Sequence, residues 1–157
     1  MLMRSLLRLI APLIFGAAYR VFRSARFKHS GRKHRWVMSS FRLAADADHR
    51  QALSVYGHLL FLRGDTTKSK IQGAIYLERA ADRGEMKAQY QMGRIYETGF
   101  EGYFKIQFDK SQIHYQRAAE QGHVLAITRL AEAYAQGELG LVVDAAKSTF
   151  WLQQMPV

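Results

Sequence analysis

Residues 76 to 84 read YLERAADRG and residues 115 to 122 read YQRAAEQG, so paired alanines followed by a glycine recur 38 residues apart. A period of that length constrains the fold more than any single residue does. One supersecondary unit cannot bury its apolar face alone, so repeated units must stack on their neighbours.

Aligning the sequence with itself gives three blocks, which begin at His49, Glu85 and His123. Counting from Ala52, Ala88 and Ala126, the fourth position holds Tyr56, Met92 and Leu130, the fifth Gly57, Gly93 and Ala131, and the eighth Leu60, Tyr96 and Tyr134. Positions 0, 4, 5 and 8 share one helical face, so each block opens with an amphipathic helix whose small residues admit a close neighbour. Gly64, Gly99 and Gly137 are the expected stops. A second helix then carries a large apolar residue and the paired alanines, and Gly84 or Gly122 turns the chain into the next block. Ala44 and Ala45, within WVMSSFRLAADAD, form an earlier copy of this second helix near residues 35 to 46. The predicted fold is all-α, a short α-solenoid of antiparallel helix pairs: half a repeat followed by three full ones.

The pattern A-x4-G-x2-Y-x2-G, then an aromatic and K/R-A-A-x2-G, resembles the Sel-like repeat, a short relative of the tetratricopeptide repeat. The resemblance covers about residues 36 to 154. The middle copy carries Ala88, Gly93, Tyr96, Gly99, Tyr115, Arg117, Ala118, Ala119 and Gly122. The first copy has one extra residue before Gly64, and the third ends in Met155-Pro156 where paired alanines are expected, departures that suit terminal repeats. The resemblance implies a non-enzymatic interaction scaffold or adaptor, often bacterial, without catalytic residues. A peptide or one helix of a partner protein is the expected occupant of its concave groove. The polar sides of the first helices are the expected lining: Gln51, His58, Lys87, Gln91, Arg94, Arg129 and Glu132. The connector GFEGYFKIQFDK adds Phe100, Tyr103, Phe104, Ile106 and Phe108, an aromatic cluster that either marks a contact loop or folds back on the core.

Charge is distributed unevenly. Residues 1 to 35 hold nine Lys/Arg and no acid, whereas residues 36 to 157 hold fourteen basic and thirteen acidic side chains, so nearly all of the net +10 lies in the first segment. The sequence therefore divides into a hydrophobic, basic segment, 1–35, and a helical repeat domain, 36–157, expected to fold without the segment. The uncharged run from Leu9 to Tyr19 is eleven residues long, against the roughly 20 that span a bilayer. With the cations that follow it, Arg20, Arg23, Arg26, Lys28, Arg32, Lys33 and Arg35, which would meet anionic headgroups, it suits a membrane-seated helix at the cytoplasmic face of a bacterial inner membrane, either lying in the interface or, by taking in Arg8 or Arg20, crossing it. A cleaved signal peptide on a secreted or periplasmic protein is the alternative, and nucleic acid is a competing partner for the cations.

No cysteine is present, no two of the six histidines stand three or four residues apart, and no phosphate-binding loop or nucleophile elbow occurs. No catalysis, cofactor, metal or small-molecule substrate is expected from such a sequence.

Overall fold

The computed structural model describes residues 2–24 and 31–156. Its described residues form eight helices: α1 (Leu2–Arg23), α2 (Gly31–Asp46), α3 (Arg50–Arg63), α4 (Thr67–Asp82), α5 (Met86–Thr98), α6 (Phe108–Glu120), α7 (Val124–Gln136) and α8 (Ala145–Gln153). The fold is all-α, with helix pairs at the positions the repeat predicts. Packing divides the chain into two compact units, Met1–Tyr76 and Leu77–Val157, and the division falls within α4.

The start of each block is fixed by the residue three before its alanine. His49, Glu85 and His123 sit at the N-caps of α3, α5 and α7, and each side chain accepts a hydrogen bond from the amide of Ala52, Ala88 or Ala126. Such caps satisfy one of the unpaired amides of the first turn and contribute about 1 kcal/mol each. The tight turns after the paired alanines are left-handed, with φ of +79° at Gly84 and +87° at Gly122. In the earliest copy the same place is held by Asp48 at φ +65°.

In the first unit α2, the half repeat of the sequence, is paired with α1. Ala11, Phe15 and Ala18 are buried on one side of α1. The Phe15 ring lies 5.5 Å from Phe41 and 5.1 Å from His49, and Phe22 meets Phe41 edge-on at 5.7 Å. Arg8 of α1 also reaches the Asp48 carboxylate at 3.4 Å. Helix α1 thus belongs by charge pattern to the basic segment but packs with α2 in a single unit. The reason is visible in the spacing: Ala11, Phe15, Gly16 and Tyr19 occupy positions 0, 4, 5 and 8, as Ala88, Met92, Gly93 and Tyr96 do in α5. Farther along, α3 and α4 touch backbone to backbone, since a Cβ placed on Gly73 would stand 2.4 Å from the Phe61 nitrogen and 2.8 Å from the Gly57 oxygen. Tyr76 closes this unit by donating to Asp46 at 2.6 Å; burial, then the carboxylate, pushes its phenol up to about 12.

The second unit is built on α5, α6 and α7. Ala88, Met92, Ile95 and Tyr96 are buried on α5, and Tyr115, Ala118 and Ala119 on α6. Gly93 stands where the sequence requires a small residue, because a Cβ there would lie 2.7 Å from the Tyr115 ring. The Ser111 hydroxyl donates to the Gly93 carbonyl at 2.8 Å, fixing the same crossing from the other side. Ala126, Ile127, Leu130 and Leu139 continue the cluster. Each fully buried large side chain in it contributes roughly 1.5–3 kcal/mol. Helix α8 buries no residue fully; Trp151 and Met155 pack partly against this cluster, where the third copy departs from the pattern.

Candidate functional site

The expected groove residues fall in both units and are taken within each. In the first unit, Gln51 is exposed on α3 and His58 is half-buried. The His58 Nδ1–H donates to the Ser54 carbonyl at 2.8 Å, an ordinary helix-surface bond.

In the second unit, Lys87 and Arg94 are exposed and Gln91 is half-exposed. They stand at i, i+4 and i+7 on the side of α5 away from Ala88, Met92 and Tyr96, so one polar stripe is presented outward. Glu132 is exposed on α7. Arg129 has a different setting. Its guanidinium donates to Glu97 of α5 at 2.7 and 3.0 Å and to Glu138 at 2.5 Å. Tyr115 of α6 donates to the other oxygen of Glu97 at 2.6 Å. Burial raises the Glu97 carboxyl, but the Arg129 and Tyr115 bonds and the Arg129 charge outweigh it and hold the group below its usual range. Arg129 therefore joins α5, α6 and α7 at a charge-assisted node. A 38-residue period reveals neither partner, since Glu97 has no counterpart that repeats with it.

The connector divides. Phe104 is buried with its ring edge-on to Tyr96 at 5.8 Å, and Phe100 pairs with it through the backbone bridge. Tyr103, Ile106 and Phe108 remain exposed. His114 is buried and stacks on Tyr96 at 5.6 Å, with its Nδ1 meeting no protein partner. Burial, and then Arg117, lowers its pKa and keeps it neutral. Among the described residues no three His, Asp or Glu side chains converge as a metal site requires.

Of the cations in the first segment, Arg20, Arg23, Arg32, Lys33 and Arg35 are exposed, whereas Arg26 and Lys28 lie outside the described residues. None of the helices described is long and apolar enough to cross a membrane. The feature that composition did not reveal is the second apolar side of α1: Leu6, Leu9 and Leu13 are 61%, 77% and 75% exposed. Their spacing places them opposite Ala11, Phe15 and Ala18. The signal lay in two interleaved apolar stripes, which together look like one unpatterned run.

Paired helices, capped and turned at a fixed period, define a helical repeat protein. The Sel1 repeat model matches residues 50–85, 87–123 and 124–155, and the chain belongs to the Sel1 repeat family. Proteins of this family are generally non-enzymatic scaffolds for protein interaction. A Sel1 repeat protein from Oxalobacter formigenes is similar in structure, with 21% identity and a TM-score of 0.63 over 77% of this chain and 47% of that one. So is c5321, a protective antigen of uropathogenic Escherichia coli strains displaying an SLR fold, with 24% identity and a TM-score of 0.75. The latter likeness covers 92% of this chain, more than residues 36–157 could supply, so it extends into α1, and 30% of that protein. The chain thus spans less than half the length of either structure. No curated protein shows significant sequence similarity to it.

Proposed function

We propose that the protein is a non-enzymatic adaptor that takes a protein partner on the outward side of its first helices while its N-terminal part holds it at the cytoplasmic face of a bacterial membrane. The observation that carries the reading is the outward stripe of Lys87, Gln91 and Arg94 on a helix whose other side is committed to packing. A partner segment bearing carboxylates complements it. Arg129 is excluded from the docking set, because its charge is engaged by Glu97 and Glu138.

The test is a crosslinking pull-down from native membranes with the parent chain and with Lys87→Glu/Arg94→Glu. Both positions are solvent-exposed, so the double variant should keep its helical signal and melting temperature. The reading expects a partner captured by the parent and lost from the variant. Equal capture by both would remove α5 from the docking surface and leave Tyr103, Ile106 and Phe108 as its place.

A further inference from the structure

The end of α1 and the start of α2 enclose an open cleft of about 600 Å³, lined by Arg20, Val21, Ser24, Arg32, Lys33 and Trp36. Among the described residues three cations and no carboxylate line it. The Ser24 hydroxyl is turned back to the Val21 carbonyl at 2.8 Å. The ring of Trp36, half exposed, adds an apolar wall with a polar edge. Arg20 lies at the end of the outer stripe of α1, seven residues beyond Leu13 and on the same side of the helix.

These two features share one geometry. A helix that is apolar on both sides must find a second apolar phase for the side the protein does not cover. Leucines along a helix face that ends in arginines match a bilayer interface, where acyl chains lie beneath anionic phosphates. We propose that α1 lies along an anionic phospholipid bilayer with Leu6, Leu9 and Leu13 in the acyl boundary, and that the cleft seats the phosphate of one anionic lipid between Arg20 and Arg32, with Trp36 at headgroup depth. The proposal rests on the membrane-held part of the reading above and is independent of which partner α5 binds. It assigns the inner side of α1 to the protein core and the outer side to lipid, so the helix lies on the bilayer rather than crossing it. The aromatic wall suits this role, since an indole prefers the water–lipid boundary.

Sedimentation of the full chain with phosphatidylglycerol-containing vesicles, neutral phosphatidylcholine vesicles and a DNA duplex tests it. The parent should pellet with the anionic vesicles and far less with the neutral ones. Leu6→Gln/Leu9→Gln/Leu13→Gln should weaken that binding about tenfold or more. Arg20→Gln/Arg32→Gln should weaken it roughly fivefold per charge removed, with a shallower salt dependence. All five positions are exposed, so thermal melts of the variants should match the parent. In a Trp151→Phe background Trp36 is the sole indole, and its emission should shift to the blue on anionic vesicles but not with inorganic phosphate. Vesicle binding that survives the leucine triple overturns the face assignment while leaving the membrane-held reading in place. An unmoved Trp36 emission in pelleted protein overturns the cleft. Binding of the parent to the duplex but not to anionic vesicles overturns both in favour of nucleic acid.

Discussion

The α1–α2 pair and the α5–α6 pair use the same spacing of alanine, glycine and aromatic, yet they are held differently. In α5–α6 a glycine receives a ring: Tyr115 lies against Gly93, and its hydroxyl is anchored by Glu97, which Arg129 holds in turn. In α1–α2 the matching Gly16 has nothing within 4 Å of a Cβ, and the contact is made by Phe15, Phe22 and Phe41. The spacing that sets the buried side is shared, while the outward sides differ: polar on α5, leucine-rich on α1. A repeat pattern therefore specifies which residues meet inside and leaves the outside free to take on separate tasks.

The largest effects should come from uncovering the aromatic contact. Phe41→Ala removes a ring that is fully buried and should cost about 3–5 kcal/mol, seen as a lower urea midpoint. Deleting residues 1–35 takes away the Phe15 face that covers the same ring. Composition alone suggests that the remaining domain is folded and soluble; the packing instead predicts a loss of helix in residues 36–76 and aggregation, readable by circular dichroism and light scattering. A truncated chain that melts like the parent would show that α1 is dispensable for the fold, and the two pairs would then not be equivalent.

The next effect belongs to α5–α6. Gly93→Leu drives a side chain into the anchored Tyr115 ring and should cost roughly 1–3 kcal/mol. Its counterpart is the smallest change: Gly16→Ala meets open space inside a helix and should stabilise by about 0.5–1 kcal/mol. Opposite signs in the two denaturation midpoints are the sharpest measure of the difference between the pairs.

Between them in size lies a pH response of the second unit, carried by His114 and Glu97. The His114 pKa is lowered by burial, with Arg117 and Lys110 adding to the shift and Asp82 and Glu78 opposing it. The unfolded chain therefore takes up the proton first. Stability from neutral His114 is fully present above the unfolded value near 6.5 and is lost as pH falls from there through the lower folded value. His114→Phe should flatten this decline between pH 7 and 5.5 in urea melts. Glu97, held below its usual range, contributes stability that is present above the unfolded carboxylate value and lost at more acid pH. A second fall there should disappear in Glu97→Gln.

Where a residue's role was set by its own repeat position, the sequence was legible. Ala88, Gly93 and Ala118 had to meet a neighbour because small residues at helical spacing serve little else, and the turns at Gly84 and Gly122 required left-handed backbone. Where the role depended on an unrepeated partner, it was not. Arg129 looked like an outward residue because Glu97 enters through tertiary contact, 32 residues away. Phe104 and Tyr103 stand side by side in one connector and differ only in which reaches Tyr96. Helix α1 escaped notice as a repeat helix for three local reasons. Its outer leucines mask the 3.6-residue period, Arg8 stands where the other copies have a cap, and Asp48 replaces the turn glycine.

The side-chain caps that open the three blocks carry a consequence for the order in which the chain comes apart. His49 and His123 accept through Nδ1, at 3.3 Å in each case, whereas Glu85 accepts through a carboxylate at 2.7 Å. A protonated imidazole has no lone pair left to offer an amide. Protonation of His49 and His123 thus unlatches the leading ends of α3 and α7, whereas a carboxyl group keeps an acceptor oxygen for Ala88 in either protonation state. Fraying should begin at the first and third copies and reach the middle copy last, a sequence that amide exchange at Ala52, Ala126 and Ala88 would time residue by residue.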